Sequence, residues 1–206
     1  MIFRTQKFDI GEIIRFDTHR GKTQVGVIEN TGRKNYRVML NDGRFYRVPI
    51  RSAQKWSAPF INPISASAEQ VEFFGKYLVQ LSKIILKQLD IDVAVKYRSG
   101  VWATYYKKGS HIQFGSQCVR YQFLNGRGSD AVSANINRFK LKFSLSSKLA
   151  VLVCHEVAHA VTDSRYKPPV RAHGKEFYHE LKSLLDRYFV PITDKLAVLH
   201  KQNTGS

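Results

Sequence analysis

Between residues 8 and 54 apolar and polar positions alternate in short bursts, the period-two pattern of strands that bury one face. Ile13, Ile14 and Phe16 predict a first strand, Val25, Val27 and Ile28 a second, Tyr36, Val38 and Leu40 a third, and Phe45, Tyr46 and Val48 a fourth. Turn signals at Gly11, Gly21, Asn30 with Gly32, and Asp42 with Gly43 separate them, and Asn41-Asp42-Gly43 suits a hairpin. Pro59 and Pro63 then interrupt both periodicities, so residues 57–64 read as a linker between a module at 1–56 and a second domain at 65–195.

The period changes beyond the linker. Ser67 with Gln70 makes a capping-box pattern, and Val71, Phe74, Leu78, Leu81, Ile85 and Leu89 follow at helical spacing. From Val93 to Phe143 β-branched and aromatic residues alternate between glycines, which predicts a small sheet. A largely apolar stretch around Leu152–Ala160 predicts a buried helix, which Pro168 and Pro169 stop. Phe177, Leu181, Leu184, Leu185 and Tyr188 predict a last helix, ended by Pro191, with residues 196–206 as a flexible tail. The class is α+β, with helices packed on a small sheet, and the spacing at 8–54 resembles an SH3-like small β-barrel of the KOW or Tudor type.

This apolar stretch carries the chemistry, because His155, Glu156 and His159 spell His-Glu-x-x-His. Residues four apart on a helix stand one above the other, so His155 and His159 can present two imidazoles to one zinc ion. Glu156 is then placed to take a proton from a water that the metal acidifies toward about pH 7. Catalytic zinc takes three protein ligands, and downstream of His159 the chain offers His173, His179 and Glu180. Glu180 is spaced as in thermolysin-like enzymes.

His155-Glu156-x-x-His159 followed by His173-Gly174-x-x-Phe177 resembles the SprT-like metalloprotease family, which includes Spartan. The resemblance spans roughly residues 65 to 190, with specificity confined to the two short motifs. It implies a zincin-like metallopeptidase domain in which His155, His159 and His173 hold one zinc ion and Glu156 is the general base. It also implies an endopeptidase acting on DNA-bound or DNA-crosslinked proteins. The chain departs from many members in having only Cys118 and Cys154, with no Cys-x-x-Cys for a zinc ribbon.

Charge adds a partner class. Thirty-three Lys and Arg against sixteen Asp and Glu give +17, an excess that favours a polyanion such as single-stranded or duplex DNA. The metal-binding third, residues 151–206, is nearly neutral with 8 basic and 6 acidic side chains, whereas residues 1–56 carry 12 and 5. In the first module Arg33, Lys34, Arg37, Arg44 and Arg47 interleave with Tyr36 and Tyr46, the mixture that pairs phosphates and stacks bases, with Lys107 and Lys108 extending it into the second domain. The same aromatics also suit a barrel core. Two cysteines without disulfide spacing and no run near the ~18 apolar residues of a membrane span predict a cytoplasmic protein, nuclear in a eukaryote.

Lesser candidates complete the reading. Tyr166 or Arg165, in the connection after the metal helix, could polarise a scissile carbonyl as oxyanion stabilisers, and Asp163 or Glu180 could orient a ligand imidazole. His111 beside a turn and Cys154, about 100° around the helix from His155, read as structural. The competing function is a DNA-binding or peptide-binding adaptor with a structural or idle zinc site, and a third reading is a general peptidase with Glu180 as ligand.

Overall fold

The computed structural model describes residues 7–19, 21–40, 45–56, 66–100, 102–123, 131–167 and 170–204. The described residues form two units, 7–56 and 66–204, and the class is α+β. The Asn41-Asp42-Gly43 hairpin, Arg44, the linker and Pro168 with Pro169 lie outside the described residues.

The first unit is one antiparallel sheet of β1 (Ile13–Asp17), β2 (Thr23–Thr31), β3 (Asn35–Leu40), β4 (Phe45–Pro49) and β5 (Gln54–Lys55), in the order β4-β3-β2-β1-β5. The alternation works as the pattern demands. Ile14, Phe16, Ile28, Tyr36, Val38, Leu40 and Val48 turn to one face and cluster with Phe8. Gly26 stands opposite Leu40 where the strands come close: a Cβ there would lie 2.5 Å from the Met39 carbonyl oxygen, so no other residue fits without displacing backbone. The two-residue β5 carries no hydrophobic alternation and was not expected from the pattern. It exists by pairing with β1 at Ile14 and Arg15.

The second unit centres on a helix. The α1 helix (Ala68–Gln88) begins at a capping box in which Ser67 Oγ accepts from the Gln70 N–H and Gln70 Oε1 accepts from the Ser67 N–H. It buries Val71, Phe74, Leu78, Leu81 and Ile85, but Leu89 is the C-cap and half-exposed, and Leu86 takes its place in the core. Three strands follow, β6 (Ala94–Arg98), β7 (Thr104–Tyr106) and β8 (His111–Gly115), ordered β6-β8-β7 with β6 parallel and β7 antiparallel to β8. Gly75 of α1 lets Tyr97 of β6 close in, since a Cβ there would meet the ring at 2.1 Å.

The expectation of sheet through to Phe143 is corrected. Residues 116–122 and 131–138 are helices, α2 (Ser116–Gln122) and α3 (Ala131–Arg138), and Leu141 and Phe143 lie in the connection beyond Lys140, whose φ is 53°. In α3 the buried residues Val132, Ser133, Asn135 and Ile136 follow a helical period, which tertiary burial rewards over the β-branched content.

The α4 helix (Leu145–Arg165) is capped by Ser144, whose hydroxyl accepts from the Ser147 N–H at 3.1 Å, and 16 of its residues are buried because α1, α2, α3, β7, β8 and the last helix surround it. That last helix, α5 (Lys175–Thr204), corrects the tail: it passes through Pro191 and continues to Thr204. Proline removes one backbone donor, yet both flanks are held by packing. Ile192 and Leu196 are buried, the His200 ring lies against Phe74 and Phe123, and the Asn203 carbonyl accepts from Gln70 Nε2. Among the described residues no helix is long and apolar enough to cross a membrane.

Candidate metal centre

His155 and His159 project from one face of α4, and His173 comes from the turn that leads into α5. One ring nitrogen of each lies within 4.8 Å of the others. His155 Nε2 and His159 Nε2 are 3.3 Å apart. Two nitrogens each about 2.0–2.1 Å from zinc at a tetrahedral angle would be about 3.3–3.4 Å apart, so the α4 pair already has a metal-binding spacing. Phe177, fully buried one turn into α5, holds the three rings from beneath, with centroid separations of 5.0, 4.4 and 4.9 Å to His155, His159 and His173. Burial pushes the His155 ring down to about 3 and the His159 ring to about 4, with the neighbouring imidazoles adding to it, and burial lowers His173 too. All three are therefore neutral near pH 7, the form that binds metal.

Asn135 of α3, itself buried, sets the first ring. Its Nδ2 is 3.0 Å from His155 Nδ1. A ring that binds metal through Nε2 carries its proton on Nδ1, and the Asn135 amide, turned by 180°, presents Oδ1 to that proton. Asp163 and Glu180, expected as orienting partners, do other work. The Asp163 carboxylate accepts from the Tyr105 hydroxyl at 3.1 Å and is paired with Lys107.

Glu156 is buried beside the histidines, accepts from the backbone N–H of Tyr105, and its Oε2 has no hydrogen-bond partner. Burial raises the carboxyl to about 8, with the Tyr105 N–H pulling the other way. An orphaned buried oxygen costs stability unless something polar reaches it. A water shared with a metal on the three imidazoles would satisfy it, and the residues present fit zinc.

Glu180 is not part of the histidine cluster. Its carboxylate accepts from Arg165 Nη1 at 2.8 Å and from the Tyr166 hydroxyl at 2.9 Å. Arg165 and Tyr166, expected to face a substrate carbonyl, both bond Glu180 here, and the three tie together the connection from α4 to α5 that bears His173. The contact raises the Tyr166 hydroxyl. His179 is exposed, on another face of α5 from Phe177. Cys154 is fully buried and its thiol is pushed up to about 12. His111 stacks on Tyr106 at 4.7 Å, away from the cluster.

The nucleic-acid candidates of the first unit divide. Tyr36 is 2% exposed and its hydroxyl accepts from the Phe8 N–H at 2.8 Å, so it is a core residue and not a stacking platform. Tyr46 packs on the same core beside Phe16. Arg37 lies over the Phe45 ring at 4.1 Å and opposite Arg47 across the strands, while Arg33, Lys34 and Arg47 are exposed. Lys107 pairs with Asp163, and Lys108 is exposed. Asn135 and Tyr105 were missed by sequence reasoning. Asn135 sits in a segment with no motif, and Tyr105 acts through its backbone, for which side-chain patterns hold no signal.

Protein-family models, curated proteins and solved structures were all compared with the chain, and none matches.

Proposed function

We propose that the chain is a zinc-dependent endopeptidase of the SprT-like kind, with a zincin-like catalytic domain at 65–195 and an SH3-like module at its N-terminus. One observation carries the reading: three convergent neutral imidazoles beside a buried carboxylate whose second oxygen has no protein partner. His155, His159 and His173 would hold the ion, which supplies Lewis-acid polarisation and an acidified water. Glu156 Oε2 would take the proton of the attacking water and deliver it to the departing amide nitrogen. Asn135 and Phe177 hold the rings in orientation, and the buried surroundings keep stray water off Glu156. Strand β7 is an edge of its sheet and its Tyr105 N–H touches Glu156, so an extended peptide laid along β7 would meet the carboxylate with little sequence preference. The +17 charge supports DNA-associated proteins as substrates, in the cytoplasm or nucleus.

The test incubates zinc-loaded protein with a basic DNA-binding protein, with and without single-stranded or duplex DNA, beside Glu156→Gln. The expected outcome is DNA-stimulated cleavage that falls about 10²–10⁴-fold in the variant while bound zinc is retained. Zinc binding with no cleavage under any condition would favour the adaptor with an idle site.

A further inference from the structure

The three-stranded sheet of the second unit has two unlike faces. Val95, Ile112 and Phe114 turn inward and are buried. The cross-strand register puts Lys96 beside Gln113, and His111 beside Tyr106, on the opposite face, with Arg98 at its margin opposite Gly115. Lys96, Arg98 and Tyr106 are exposed, and Gln113 and His111 are half-exposed, so the described residues leave this face open from His111 to Gln113 and cover it only at Gly115. Neither Asp nor Glu occurs in the three strands.

An aromatic ring stands at one end of the face, and the backbone of the β6–β7 crossover closes on the other. At one end Tyr106 stacks on His111, with planes 18° apart. At the other the crossover from β6 to β7 presses on β8: a Cβ on Gly115 would lie 2.6 Å from the Gly100 oxygen and 2.7 Å from the Trp102 oxygen. That crossover presents Trp102, 73% exposed, the most exposed large hydrophobic side chain among the described residues. From His111 to Gly115 is about 13 Å at roughly 3.3 Å per residue, a span of a few nucleotides. Lys96 lies beside Gln113 midway along the face, and Arg98 lies beside Gly115 at the crossover end.

We infer that this outward sheet face binds a short segment of single-stranded nucleic acid, with bases stacked on Trp102 and Tyr106 and phosphates paired with Lys96 and Arg98. Flat rings at intervals and cations without acids complement a chain of bases on a polyanionic backbone. A folded protein partner would instead be met by a contiguous apolar patch, which the face lacks. The inference rests on the nucleic-acid side of the proposed function and not on its chemistry. It gives that function a location: the strand whose edge lies at Glu156 would carry the nucleic acid on its outer face, so a protein held on that strand is presented to the carboxylate.

The chain has two tryptophans, so Trp56→Phe leaves Trp102 as the sole indole reporter. Oligothymidylate is titrated into this variant, followed by Trp102 emission and, in parallel, by anisotropy of a labelled oligonucleotide. Neither readout needs metal or turnover, so failure here is distinguishable from failure of the peptidase reading. Quenching of Trp102 that weakens with salt is expected, with affinity reduced about tenfold by Tyr106→Ala and by Lys96→Glu with Arg98→Glu. Circular dichroism checks that these surface variants remain folded. Anisotropy change without quenching would move the site elsewhere on the chain and overturn the proposal. Equal or stronger quenching by duplex DNA or polyglutamate would also overturn it, assigning the face to phosphate alone or to acidic protein. Absence of both signals would do the same.

Discussion

The two units of this chain handle polarity in opposite ways. In residues 7–56 the buried side chains are apolar, and the one buried hydroxyl, on Tyr36, is matched by the Phe8 N–H. Every buried polar or charged side chain among the described residues falls between Ser82 and Glu180, in the second unit, and it includes His155, Glu156, Lys148, Asn135 and Glu180. Some are fully served, as Glu180 is by Arg165 and Tyr166. Glu156 Oε2 is not. Tyr77, Ser82, Tyr188 and Thr193 also have a buried side-chain oxygen without a hydrogen-bond partner, and Glu156 Oε2 differs from them in belonging to a carboxyl group beside three imidazoles. The contrast sets the second unit, with its cluster of buried polar groups, apart from the first.

The largest effect should come from removing the apolar support of the polar cluster. Phe177→Ala leaves a cavity under three imidazoles and is expected to cost about 3–5 kcal/mol in denaturant unfolding, with zinc affinity falling as well. If zinc affinity were unchanged, the ring would be mere filling and the histidines would hold themselves.

Next comes the open carboxyl. In metal-free protein, folding raises Glu156 from about 4.5 to about 8, so the folded state holds a proton that the unfolded state has released. Stability is therefore full at low pH and declines as pH rises from about 4.5 through 8. His155 and His159, lowered on folding, act in the other direction, but only below their ordinary value near 6.5. Between pH 6.5 and 8 wild type should lose on the order of 2 kcal/mol relative to Glu156→Gln. Parallel pH profiles for the two proteins would show that Glu156 is not desolvated.

Asn135→Leu keeps the branching of the amide but removes the partner of His155 Nδ1. Zinc affinity measured against a chelator should drop about 10–100-fold with the fold intact. An unchanged affinity would demote Asn135 to packing.

The smallest effect belongs to the first unit, where Tyr36→Phe leaves the Phe8 N–H without its acceptor at the edge of the core. A loss of about 1 kcal/mol, read as a shifted unfolding midpoint, is expected. A cost as large as that of Phe177→Ala would mean that the first unit depends on its polar contact as much as the second does on its own.

Much of the architecture was legible wherever one physical rule acted locally. Period-two alternation located β1 to β4 because each of those strands buries one face. The capping box at Ser67 and Gln70 marked the start of α1, since two side chains three residues apart settle that hydrogen-bonding problem alone. The spacing His155, Glu156, His159 placed two imidazoles together because the helix repeat does so on any α-helix.

Where several elements compete for the same residues, local rules gave way. Segments 116–122 and 131–138 lie within the stretch expected as sheet but are helices, which bury Val119, Val132 and Ile136. Pro191 reads as a stop yet lies inside α5, held by Ile192, Leu196 and His200 on the far side. Arg165, Tyr166 and Glu180 each resembled a site residue, and their mutual hydrogen bonds, formed over 14 and 15 residues of separation, made them a clamp.

By itself, then, the sequence determined the period of each regular segment, the basic excess and the pairing of His155 with His159, all of which depend on neighbours a few positions away. Only the tertiary structure decided that His173 completes the group, that Asn135 and the Tyr105 backbone serve it, that Tyr36 is core, and that Lys96, Gln113 and Tyr106 share an open face. Those outcomes depend on distances between residues remote in sequence, set by how helices and sheet close-pack around α4.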